Sequence, residues 1–117
     1  MDKNMHMLVL VLKHVELIDE LIKELVEEGI HGGTILESTG MASVIENFDD
    51  FPMFGILRRI METEDEKESS RTLFFVVDDD DLVKAKKTIR RVTGDLSKPN
   101  TGIMFSIPVE GVEGLGE

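Results

Sequence analysis

The chain has 117 residues and a mass of 13.2 kDa, 41% hydrophobic and 32% charged, which suits one domain with an apolar core and is too short for two. Its 13 basic side chains against 24 acidic ones leave a net charge of −11, a field that opposes a phosphate backbone, so no nucleic-acid partner is expected. With no Cys there is no disulfide framework, thiolate zinc site or thiol nucleophile, and three scattered His offer no metal-ligand spacing.

In chain order, Met5 to Lys13 (MHMLVLVLK) is an apolar run of strand length. Its apolar part, Met7 to Leu12, is shorter than a signal-peptide core and far shorter than a membrane span, and a cytoplasmic protein is the expectation. From Val15 to Glu28, Leu17, Ile18, Leu21, Ile22, Leu25 and Val26 recur at helical spacing opposite a charged face, and Gly29 ends the helix. Gly32 to Thr39 (GGTILEST) places β-branched residues between glycines and predicts a second strand. Gly40 to Ser70 is far longer than a hairpin connection. Its first part is apolar, with Phe51 and Phe54 beside the basic pair Arg58 and Arg59, and its second part, ETEDEKESS, is strongly polar.

The pattern then repeats at an offset of about 65 residues. Leu73 to Val77 is a strand, Asp79 to Asp81 open a helix that runs to Val92, and Gly94 closes it. After a turn-rich stretch, Ile103 to Val109 forms a last strand, which Pro108 assigns to a sheet edge. Residues 1–117 therefore read as a single α+β domain, a ferredoxin-like βαββαβ plait with a long loop at 40–70 and a glycine-containing tail at 111–117. Strands 1 and 3 fall in the centre. Met7, Val9 and Val11 alternate with Leu8, Leu10 and Leu12, and two helices cover only one face of a sheet. Whichever set lies away from the helices needs another chain to cover it, so an oligomer packed through its sheets is expected.

Candidate chemistry is confined to loops. Gly32, Gly33 and Thr34, with Ser38, Thr39 and Gly40, either expose backbone N–H groups to an anion or simply turn the chain on either side of a strand. Thr93 to Gly102 (TGDLSKPNTG) adds the cation Lys98 and the donors Ser97, Asn100 and Thr101, as a phosphate cradle or as a connection into the last strand. The Asp78 to Asp81 run reads as a helix cap rather than a cation site. No metal site and no catalytic residue are assigned: there is no triad and no pair of converging carboxylates.

The stretches GIHGGTILESTGM (Gly29 to Met41) and TGDLSKPNTGIMFSIPVE (Thr93 to Glu110), with the long loop between the halves, resemble the nitrogen regulatory PII family, and especially its PII-like branch. The resemblance covers nearly the whole chain. It implies a compact homotrimer without a reaction of its own, adenine nucleotides (ATP, ADP or AMP) bound in clefts between subunits, and a long loop that docks on a regulated partner protein. Carried over by position, Gly32, Thr34 and Gly40 surround the adenine and the loop base, and Thr93, Gly94 and Gly102 match the phosphate loop, with Lys98 as its nearest cation. Phe51, Phe54, Arg58 and Arg59 belong to the docking loop. In this chain Ile103 stands where the family's phosphate-binding lysine is expected, the end VEGVEGLGE lacks the family's arginines, and no Tyr is available for modification. Binding weaker than the family norm, or shifted toward fewer phosphates, is therefore expected. Two rivals remain on the same plait: a metal-tolerance-type trimeric binding protein, disfavoured by the absence of Cys and clustered His, and a small enzyme.

Overall fold

A computed structural model describes residues 4–41, 70–98 and 101–115. Nearly all of the expected long loop, including Phe51, Phe54, Arg58 and Arg59, lies outside the described residues. The elements are β1 (Met5–Leu12), a single 3-10 turn (Val15–Leu17), α1 (Ile18–Glu27), β2 (Gly33–Ser38), β3 (Ser70–Asp78), α2 (Asp79–Thr93) and β4 (Gly102–Val109). The strands form one antiparallel sheet in the order β2-β3-β1-β4, the βαββαβ plait, with β1 and β3 central and the Pro108 strand at an edge as expected.

The two helices lie on one face of this sheet because their apolar stripes match its leucine-rich side. Leu8, Leu10 and Leu12 of β1 and Leu73, Phe75 and Val77 of β3 pack with Leu21 and Leu25 of α1, Ala85 and Ile89 of α2, and Ile30. The helices begin differently. In α2 the Asp78 carboxylate accepts the Asp81 N–H at 2.9 Å, three Asp occupy the first turn and Arg90 and Arg91 the last, an order that complements the helix dipole. In α1 no side chain caps the start, and the 3-10 turn leads the chain in. Gly29 and Gly94, at φ 86 and 80, take the left-handed turn that a β-carbon would disfavour just beyond each helix. Thr88, 1% exposed, satisfies its buried hydroxyl by donating to Lys84 O at 2.9 Å.

β3 begins at Ser70, three residues before the apolar run that marked it in the sequence. Pairing explains the extension: Ser70, Arg71 and Thr72 lie opposite Ser38, Glu37 and Leu36 of β2, Arg71 reaches Glu37 at 3.4 Å, and Ser70 bonds Ser38 through their hydroxyls at 2.8 Å.

The register settles the faces. Away from the helices lie Met7, Val9 and Val11, and the strand pairings arrange their neighbours in rows: Ile103, Val11, Thr72 and Leu36; Phe105, Val9, Phe74 and Thr34; Ile107, Met7 and Val76. No charged side chain falls in these three rows. Val9 is nearly buried between its neighbours, but Ile103, Phe105, Ile107 and Leu36 remain 41–57% exposed in the single chain.

Candidate functional site

The glycine loops singled out in the sequence come to one end of the sheet but not to one place. β2 and α2 both run toward the end where β4 begins, so Gly40, Gly94, Lys98 and Gly102 share that end. β2 and β4, however, are the opposite edges. Three interstrand spacings separate them, roughly 14 Å. Gly32 precedes β2 at the other end and Thr34 is the second residue of the strand, on the open apolar face beside Phe74. Within one copy the two groups of loop residues therefore lie at opposite edges of the sheet.

Several donors of the second loop are already engaged. The Asp95 carboxylate accepts the Ser97 N–H at 2.9 Å and the Ser97 hydroxyl at 2.7 Å, and these bonds hold it below the ordinary carboxylate range, with nearby Lys98 adding to the effect. Lys98 itself donates its N–H to Asp95 O at 3.2 Å. Gly94 N–H caps Arg90 O, and the Thr93 hydroxyl donates to Ile89 O. Thr101 is buried, its carbonyl accepting the Lys13 N–H. Of the expected phosphate donors, Lys98 thus offers an exposed cation, but with a carboxylate three residues away. Gly102 has a tighter role: at φ 147, a β-carbon there would collide with the Val11 carbonyl oxygen, so the glycine lets β4 enter the sheet against β1.

A feature absent from the sequence reading is a hydroxyl cluster at the loop end of the open face. Ser38 Oγ lies 2.8 Å from Ser70 Oγ and accepts from Thr72 at 2.9 Å. Only the β2–β3 register brings together residues more than thirty positions apart in sequence.

On the helix side, Ile22, Leu25, Val26, His31, Gly33, Ile35, Leu73 and Phe75 line a shallow apolar groove between α1 and β2. Its volume of about 90 Å³ is well below the ~300–1,000 Å³ of a typical small-molecule pocket. Among the described residues, no group of three or more His, Cys, Asp or Glu is placed to hold a metal ion, and no helix is long and apolar enough to cross a membrane.

Comparison with solved structures fixes the architecture. Arabidopsis thaliana PII bound to citrate superimposes with a TM-score of 0.62 at 18% identity, over 92% of this chain and 79% of that one. The fold is that of the PII proteins. The GlnK-ATP complex of B. subtilis gives a TM-score of 0.60 at 18% identity, over 93% of this chain and 84% of that one. A functionally unknown protein from Pediococcus pentosaceus gives 0.63 at 10% identity, over 96% and 98%. No protein-family model and no curated protein matches the sequence. The PII resemblance read from the glycine stretches is thus carried by the fold.

Proposed function

We propose that this chain is a PII-like regulatory protein: a cytoplasmic homotrimer closed through its open sheet faces, sensing a small anionic molecule at the clefts between subunits and acting on a partner protein through the segment between β2 and β3, without a reaction of its own. The observation that carries the reading is the combination of an exposed apolar sheet face with glycine loops at opposite edges. Covering the face with neighbouring copies is what would bring the β2 edge of one subunit toward the β4 edge of the next and so complete a site that one chain leaves divided. The PII-fold neighbours were solved with citrate and with ATP, both polyanions, which sets the class of ligand to try first.

Lys98, from the β4 side, and the exposed backbone near Gly40, from the β2 side, are the recognition groups in this reading, whereas Gly32 lies at the far end of β2. Thr34 contributes from the open face. Thr93, Gly94 and Gly102 shape the second loop, since Thr93 and Gly94 spend donors on the helix end and Gly102 serves strand entry. Asp95 opposes a polyphosphate, so the site favours ligands with fewer charges. The partner surface is assigned to Phe51, Phe54, Arg58 and Arg59.

Calorimetric titration with citrate, ATP, ADP and AMP tests the ligand half of the proposal. Binding of at least one of them, weakened by Lys98→Ala and tightened by Asp95→Asn, is the expected result. Binding indifferent to both substitutions would put the anion site elsewhere, and no binding to any of the four would remove adenine-nucleotide and citrate sensing.

A further inference from the structure

The helix layer, away from the sheet face, is divided by charge. The first half carries Glu16, Asp19, Glu20, Glu24, Glu27 and Glu28 against the single cation Lys23. From Leu82 to Thr93, α2 carries Lys84, Lys86, Lys87, Arg90 and Arg91 with no carboxylate, so five of the chain's 13 cations fall within one helix of a protein of net charge −11. Helical spacing puts Val83, Lys86, Lys87 and Arg90 on one arc, opposite buried Ala85 and Ile89, and Val83 is 53% exposed among these cations.

Local helix preferences account for only one of the two strips. The cations of α2 lie toward its C-terminus, where the dipole favours them. The carboxylates Glu24 and Glu27 lie in the last turn of α1, which has no basic residue, and there the dipole opposes them. Such a conflict marks a place where something other than the isolated helix sets the sequence. Within one copy the strips already meet once: Arg91 donates to Glu24 at 2.6 Å, and this contact raises the Arg91 pKa. Lys84, Lys86, Lys87 and Arg90, and Asp19, Glu20 and Glu27, make no ion pair among the described residues.

We propose that the helix layer is a self-docking surface, on which the α1 carboxylates of one copy meet the α2 cations of a second copy. A two-fold axis running along the groove between α1 and α2 sets each helix against its opposite in the other copy, so the complementarity is satisfied twice by one contact. An axis across the helices would place like on like. The surface is separate from the open sheet face, and if the sheets close a homotrimer the same contact pairs one trimer with another.

Light scattering on a gel-filtration column over a range of protein concentrations tests this in about 0.1 M and about 0.5 M salt, since the Debye length is ~10 Å at the lower value and falls well below a helix–helix spacing at the higher one. The mass of the assembly should double with concentration in the lower salt and stay single in the higher. Lys87→Glu/Arg90→Glu should abolish the doubling, and so should Glu20→Lys/Glu27→Lys. These positions are exposed and make no ion pair among the described residues, and circular dichroism checks that both variants fold. Mixing the two variants should restore the doubled mass, because the unaltered α1 carboxylates of the first then meet the unaltered α2 cations of the second. Doubling that ignores salt and both variants overturns the proposal, and so does a mixture that stays at the single mass. A wild-type protein that stays single while binding a poly-glutamate peptide through Lys87 and Arg90 overturns it too, by giving the basic strip to a foreign acidic partner.

Discussion

Asp95 shows how one residue decides the chemistry of a loop. Its carboxylate takes both donors of Ser97, leaving the loop folded on itself and its charge beside Lys98. Because those bonds lower its pKa in the folded state from the usual 3.8, the contact contributes stability above that value and loses it as pH falls through the lowered folded value. A carboxyl NMR titration should therefore give Asp95 a midpoint below 3.8 that Ser97→Ala moves back toward it. Gly102 has a steric rather than an electrostatic task. Gly102→Ala should destabilise the fold by about 2 kcal/mol or more in denaturant titration, since both the positive φ and the Val11 carbonyl exclude a β-carbon. Gly40→Ala, where a β-carbon meets nothing within 4 Å, should leave the fold nearly unchanged.

The two helices show what the sequence made legible and what only pairing could reveal. Amphipathic spacing and the glycines that follow place both helices within a few residues, because burial of one stripe and a left-handed exit are local properties of the chain. The acidic run Asp78 to Asp81 was equally visible as a cap, but only the structure singles out Asp78 as the capping residue, with Asp79 to Asp81 in the first turn. Asp78→Ala should cost about 1 kcal/mol while Asp78→Asn retains most of it, read from urea midpoints at constant slope. The strand ends were less legible. Ser70, Arg71 and Thr72 have no apolar signature, and they join β3 because β2 supplies Glu37 and Ser38 opposite them. Alternation along β1 separated Met7, Val9 and Val11 from Leu8, Leu10 and Leu12, but the contacts of the two helices were needed to show that the leucines face inward. The candidate site suffered the same limit. Its glycines were visible as loops, whereas their division between opposite sheet edges depends on the strand order, and the occupation of the Ser97 and Gly94 donors depends on loop geometry.

At the scale of the molecule, a two-layer plait has covered one side of its sheet and left the other apolar. Ile103, Phe105, Ile107 and Leu36 are too contiguous, with Val11, Met7 and Phe74 between them, to be read as scattered surface hydrophobics. Leu10→Ala, on the covered side, should cost about 2–5 kcal/mol of folding stability. Phe105→Glu, on the open side, should leave the single chain folded and act on assembly instead. The proposed regulatory function depends on that distinction, because in it the glycine loops at the two sheet edges would form one site only if neighbouring copies close on the open face. The deciding measurement is the mass of the protein in solution by light scattering, in about 0.5 M salt so that exposed charges are screened. A trimer of about 40 kDa from the 13.2 kDa chain, reduced toward the single-chain mass by Phe105→Glu, is the predicted result, and a stable 13.2 kDa monomer would contradict the account.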